Sequence, residues 1–174
     1  MRFLVNFAIT FGFFGFWHVV LYILNWSERP FQAGRTYRVG KVVHNMWYSS
    51  LGVLQYTVWE AIYVYCCATN RIPFMSDQEA ASSPKNFLIF CLAAFWVPLY
   101  REFHFYFAHR FIHISALYKY IHSLHHRNTD IEPFSGLCMH PLEHLYYFSC
   151  LGPSFLVYTT PFAFMWVLLL MCRV

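Results

Sequence analysis

Residues 86–126 read NFLIFCLAAFWVPLYREFHFYFAHRFIHISALYKYIHSLHH. The first part, to about residue 108, is a largely apolar run that turns amphipathic near its end. The last eighteen residues, His109 to His126, hold five histidines. A bilayer core needs about 20 apolar residues per helix. The run therefore predicts a membrane-spanning helix that emerges from lipid directly into a histidine-rich region.

The rest of the chain repeats the apolar pattern. Hydrophobic residues make up 59% of it, aromatics 22% and charged residues 11%. Ordinary soluble domains are roughly 45–50% apolar and about 25% charged. A chain this short cannot bury so much apolar surface within itself, so lipid is its natural solvent. Three further apolar stretches lie at about 3–25, 46–68 and 145–172. The first is too long for the h-region of a signal peptide, about 7–15 residues, and lacks a small-residue cleavage site, so it reads as a retained anchor. The last is divided by Pro153 and Pro161. Helices end or kink at proline, and this stretch reads as a hairpin of two helices, with a single kinked span as the alternative. The predicted fold class is all-α: an integral membrane helical bundle of about four membrane helices with a cytosolic, histidine-rich metal region. The membrane helices occupy 1–100 and the histidine region 101–174.

Loop charges set the orientation. Residues 27–45 carry Arg29, Arg35, Arg38 and Lys41 against Glu28. Residues 101–144 carry Arg101, Arg110, Lys119 and Arg127. The positive-inside rule places both segments in the cytosol and 69–85 on the opposite side. The net charge of +4 comes from residues flanking apolar runs, which excludes a nucleic-acid surface. None of the six cysteines forms a Cys-x-x-Cys pair, so neither a disulfide framework nor a zinc–thiolate site is expected.

Eight of the ten histidines lie between 104 and 144. Positions three or four apart share a helix face. His109 and His113 therefore point the same way, as do His122, His125 and His126, and as do His140 and His144. His104 falls on the opposite side of the helix from His109 and His113 and reads as a packing residue. His18 and His44 read as ordinary helix residues. Metal-bound histidines usually donate their outer N–H to a carboxylate or carbonyl. Glu102, on nearly the same face as His109, and Glu143 are the candidates for that role, with Asp130 a lesser one. Imidazole suits zinc, copper, iron and nickel. A tetrahedral ion takes four ligands, so five to seven clustered histidines point to two metals. Two irons could activate dioxygen against an unactivated C–H bond, with the substrate entering from the bilayer. A haem bundle is the competing reading, but haem needs one ligand from each of two facing helices.

REFHFYFAHRFIH (101–113), IHSLHH (121–126) and SGLCMHPLEH (135–144) resemble the sterol desaturase and fatty acid hydroxylase superfamily. His109, Arg110 and His113 match its His-Arg-x-x-His box. His122, His125 and His126 match its His-x-x-His-His box. His140, Pro141 and Glu143 match a His-Pro-x-Glu element, and Glu102 fills an acidic position seven residues before the first box. In addition, Pro141 suits the first position of a helix, which puts His140 at its cap and Glu143 in the first turn, where a carboxylate is favourable.

The resemblance implies a non-haem di-iron oxygenase of lipid metabolism, hydroxylating or desaturating a sterol or fatty-acyl lipid with O2. It implies an endoplasmic-reticulum membrane and NAD(P)H-derived electrons delivered through cytochrome b5 or a similar protein. It also implies metal ligands among His109, His113, His122, His125, His126, His140 and His144. The family carries a further His-x-x-His-His box after the hydrophobic hairpin, and no histidine follows His144 here. The expectation is of an incomplete chain. The alternative is a non-catalytic family member that binds metal partially or pairs with a full-length relative.

Overall fold

The computed structural model describes residues 1–26, 38–129, 131–156 and 160. Asp130, the charged loop at 27–37 and most of the proposed hairpin beyond Leu156 lie outside the described residues. Helix α1 (Arg2–His18) passes into a π-turn, Val19–Ile23. Next come α2 (Val39–Ala68), the short α3 (Asp77–Ala81) and α4 (Pro84–Ile112). A short α5 (Ser115–Leu117) leads through a second π-turn, Tyr118–His122, into α6 (Ser123–His126). A 3-10 turn (Pro133–Ser135), α7 (Pro141–Phe148) and a 3-10 segment (Ser149–Phe155) follow. No β-strand occurs among the described residues. The protein is an all-α membrane protein.

Two helices among the described residues are long and apolar enough to cross a bilayer, Arg2–Ile23 and Pro84–Ile112. Only 22% and 6% of their apolar windows are buried. Leu4, Ile9 and Phe13 on the first and Phe95, Phe103 and Phe107 on the second are exposed. Apolar surface on that scale has no place in water, and it fits lipid. The expected span at about 46–68 lies on α2, which starts earlier, at Val39. Asn45, Ser49, Thr57 and Glu60 are buried on α2. These polar residues make it less apolar than the other two. The fourth stretch begins as α7 and loosens into 3-10 structure from Ser149, with Pro153 inside it. Proline has no N–H to give a regular α-helical ladder.

The described residues form two compact units, interleaved along the chain. The first comprises Met1–Thr57 and Ile112–His144. In it, Phe14, Val42, Phe134 and Leu137 make an apolar cluster, with Phe11 and Met46 against it. Hydrogen bonds tie α1 to α2 beside this cluster. Thr10 Oγ1 meets the Tyr56 hydroxyl at 2.8 Å, and Asn6 Nδ2 donates to Thr57 Oγ1 at 3.1 Å. Between membrane helices, where lipid is as apolar as leucine, such polar contacts and close packing drive association.

The second unit comprises Val58–Phe111 and the chain from Leu145. Phe155 packs edge-on against the buried Tyr63, ring centroids 5.5 Å apart. Phe105 stacks on Tyr147 at 5.2 Å. The C-terminus of α2 is closed by Asn70 in the left-handed region (φ 53°). Arg71 N–H donates to Cys66 O, and Asn70 N–H donates to Cys67 O. This pair of bonds satisfies the last carbonyls of the helix. Ser76 caps α3 by accepting the Glu79 N–H at 3.1 Å.

One glycine is required by packing. A Cβ at Gly52 would lie 2.8 Å from His144 Nε2 and 2.9 Å from its Cε1. His144 is 1% exposed and Nε2 already donates to the Leu137 carbonyl, so the ring has no room to retreat. Gly12, in the middle of α1, has nothing within 4 Å of the same position. Gly52→Ala is expected to cost about 1–3 kcal/mol by overpacking. Gly12→Ala is expected to be neutral or mildly stabilising, since alanine is the better helix former. Thermal unfolding of the detergent-solubilised protein, followed by helical circular dichroism, separates the two.

Candidate metal centre

The site begins where α4 ends. The helix stops at Ile112, and His113 and Ile114 form the whole connection to α5. The sequence suggests a longer link, to about Lys119. Ile114 adopts an extended ψ of 133°, which breaks the helix. The helix then resumes at Ser115 and widens into the π-turn Tyr118–His122. Single π-turns are frequent at functional sites because the extra residue rotates the side chains that follow.

Within the first unit, three imidazoles converge. His122 Nε2 lies 3.2 Å from His113 Nε2 and 2.9 Å from His126 Nε2. The ligand atoms of all three lie within 4.8 Å of one another. Nitrogens bonded at about 2.0–2.1 Å to one ion sit about 3 Å apart when adjacent, so this donor set fits a metal ion. Tyr118 walls the group, its ring stacked on His113 at 5.5 Å. His122 is buried, while His113 and His126 are exposed, so the group is open on one side.

His122 is the anchor. Its Nδ1 lies 2.7 Å from Glu143 Oε1, with both side chains fully buried. A carboxylate can only accept, so Nδ1 carries the proton and Nε2 presents its lone pair to the other two rings. This is the carboxylate–histidine pairing that orients metal ligands and raises their basicity. Burial, helped by the neighbouring His113, pushes the His122 imidazole down to about 4, so it is neutral at physiological pH. Burial also lowers His126, with His122 and His113 adding to the effect. Burial pushes Glu143 up to about 7, opposed by His125 and His140. A cation held on His122 would favour its charged form. Glu143 Oε2 is buried with no hydrogen-bond partner among the described residues.

The remaining candidates take individual places. His125 was expected to share a face with His122 and His126. Its ring lies beside both, 5.8 Å from His122 and 5.9 Å from His126, and its Nδ1 donates to the Cys138 carbonyl at 3.3 Å. That bond leaves Nε2 as the lone-pair nitrogen. Burial lowers its pKa. His144 donates Nε2–H to the Leu137 carbonyl at 3.0 Å, and burial pushes it down to about 4. Adjacent carbonyls, Leu137 and Cys138, thus fix the tautomers of two histidines. His140 precedes Pro141, and its Nδ1 accepts the Leu142 N–H at 3.2 Å, capping α7.

In the second unit, His109 Nδ1 meets the Tyr147 hydroxyl at 2.8 Å. Glu102 pairs with Arg101, its own side chain 64% exposed. The buried carboxylate found on a site histidine is therefore Glu143. His104 bonds Ser149 Oγ at 3.0 Å, a packing contact in keeping with its reading from the sequence.

Sequence reasoning missed two residues. His18, read as an ordinary helix residue, is 6% exposed, and its Nδ1 lies 3.1 Å from Glu132 Oε2. Glu132 is 4% exposed. The available signal was scarcity: the chain has only eight acids, and this one stands between Ile131 and Pro133-Phe134 in an apolar context.

Residues 94–174 match the fatty acid hydroxylase family. A Delta(7)-sterol-C5(6)-desaturase of Nicotiana tabacum is 44% identical over 88 residues, 45% of this chain and 32% of the relative. The Delta(7)-sterol 5(6)-desaturase ERG3A of Gibberella zeae is 42% identical over 45 residues, 26% of this chain and 13% of the relative. A putative Delta(7)-sterol-C5(6)-desaturase 2 of Arabidopsis thaliana is 39% identical over 61 residues, 33% and 22% of the two chains. The chain spans at most about a third of the length of these relatives. No solved structure matches it. A fatty acid hydroxylase match over the region that carries the histidine boxes, with sterol desaturases among the similar proteins, supports a relationship to the sterol desaturase and fatty acid hydroxylase superfamily.

Proposed function

We propose that this chain belongs to a membrane oxygenase that uses O2 and histidine-held iron to desaturate or hydroxylate a lipid, with a sterol as the preferred substrate class. The observation that carries the reading is the convergence of His113, His122 and His126 Nε2 atoms, backed by the buried Glu143. The sterol preference rests on the relatives, which are named as sterol C5(6)-desaturases.

His113, His122 and His126 would hold one iron. His125, His140 and His144 are the candidates for a second ion. Bound there, an iron pair supplies the activation of dioxygen needed to break an unactivated C–H bond. The chain's own residues do the rest. Glu143 holds the Nδ1 proton of His122 and keeps Nε2 directed inward. Burial keeps His122 and His144 neutral, so protons do not compete with metal for them at physiological pH. The exposed apolar face of α1 would keep the site at the lipid surface, where a sterol resides. Electrons would come from NAD(P)H through a cytochrome b5-like donor. The basic residues around 101–144 support a cytosolic histidine region, in the endoplasmic-reticulum membrane.

Purified protein is expected to bind two irons per chain. With a cytochrome b5 electron supply it should convert a Delta(7)-sterol to an oxidised product seen by mass spectrometry. Iron content of zero in wild-type protein would sink the reading. Glu143→Ala is expected to weaken iron binding by about 10–100-fold, the usual effect of losing an outer-shell partner. Glu102→Ala, which removes a largely exposed side chain, should leave iron content unchanged. Metal analysis of both variants after dialysis provides the comparison.

A further inference from the structure

Glu132 lies six residues beyond the second histidine box and is bonded to neither box. It is nevertheless one of the most heavily engaged side chains in its unit. Its Oε1 accepts from Asn45 Nδ2 at 2.8 Å. Its Oε2 accepts the Phe134 N–H at 3.3 Å and faces His18 Nδ1 at 3.1 Å. Asn45, on α2, is fully buried, and His18, at the end of α1, nearly so. Three donors directed at two oxygens suit a carboxylate, which only accepts.

The backbone on either side is held as firmly. The Tyr22 hydroxyl donates to the Ile131 carbonyl at 3.1 Å. Tyr22 sits in the π-turn that directly follows His18, and the two rings lie 5.5 Å apart. Ser49 Oγ donates to the Phe134 carbonyl at 2.8 Å. The Phe134 ring packs on Phe11 and Phe14. Ser135 Oγ closes the turn by accepting the Glu132 N–H and donating to its carbonyl. Residues 131–135 are thus held by His18 and Tyr22 at the end of the first helix and by Asn45 and Ser49 of α2.

The two carbonyls that orient site histidines follow at once. The Cys138 N–H donates back to the Ser135 carbonyl at 3.1 Å. Leu137 O then receives His144, and Cys138 O receives His125. His144 is the neighbour of Glu143, which holds His122. The turn at 131–135 therefore leads directly into the carbonyls that His125 and His144 contact, and His144 adjoins the carboxylate that holds His122.

We propose that His18, Asn45 and Glu132 form a buried clamp that positions the metal centre from the membrane helices, with Glu132 as its hub. The clamp rests on the metal-centre reading above. Glu132 is a positioning residue: it acts through the carbonyls of Leu137 and Cys138 and touches no ligand. Its work is geometric, so an amide can replace it. In Glu132→Gln, the side-chain oxygen can take the Phe134 and His18 contacts. The new NH2 group can then face Asn45, whose Oδ1 has no partner among the described residues and can turn to accept.

The test uses the whole chain in detergent and Co(II), whose visible absorption reports coordination geometry. Glu132→Ala is expected to weaken Co(II) binding at least about tenfold, as loss of outer-shell support does, and to alter the absorption spectrum while helical circular dichroism stays at the wild-type level. Glu132→Gln is expected to keep the wild-type affinity and spectrum. If Glu132→Ala does not fold, Ser49→Ala, which removes only the bond to the Phe134 carbonyl, takes its place with a smaller loss of affinity and the same spectral change. An alanine variant with wild-type affinity and spectrum overturns the clamp, as does Gln behaving no better than Ala. Wild-type protein that binds no Co(II) overturns the metal-centre reading instead.

Discussion

The hydrogen bond between His122 and Glu143 is the contact on which the arrangement of the site depends. Both side chains are fully removed from solvent, where an unpaired carboxylate would cost several kcal/mol and an unpaired imidazole N–H somewhat less. Pairing relieves both costs at once. It also decides a direction: with Nδ1 committed to the acid, Nε2 faces His113 and His126. Three nitrogens drawn that close without an ion between them cannot all be satisfied by one another, because each contact needs one proton and one lone pair. A cation accepts all three lone pairs together.

The polar groups that make this possible sit in a chain built for lipid. α1 and α4 expose large apolar side chains along most of their length. The polar residues of α2 are instead turned inward. Asn45 meets Glu132, Ser49 meets the Phe134 carbonyl, and Gln55 donates to the Pro141 carbonyl at 2.9 Å. Gly52, between them, leaves the space that the His144 ring fills. One face of α2 thus carries contacts to each part of the segment 132–144 in turn. Buried polar groups are worth most when every member is paired, and this stripe ties the segment 132–144 to α2 without an extended apolar interface.

Local sequence made much of this legible. Apolar run lengths predicted α1 and α4, because the bilayer demands a fixed helix length whatever the tertiary fold. His-Pro-x-Glu predicted the start of α7 with His140 at its cap, because capping is settled within one turn. The boundary of α2 was less legible. Residues 39–45 extend it beyond the apolar stretch, and polar residues that face protein rather than lipid dilute the signal. Helical spacing puts His125 beside His122 and His126, where its ring lies, but the bond of its Nδ1 to a backbone carbonyl thirteen residues away was not legible.

From the sequence alone came the solvent of the protein, the helix class and the histidine sets that mark the family. All three follow from composition and from contacts within a few residues. Only the tertiary structure decided which imidazoles meet and which acids support them. Glu143 reaches His122 across 21 positions, and Glu132 reaches His18 across 114. Such pairings depend on where the chain reverses. In the first unit they rest on the turn at 131–135, held by Tyr22 and Ser49, and no periodicity in the sequence encodes it.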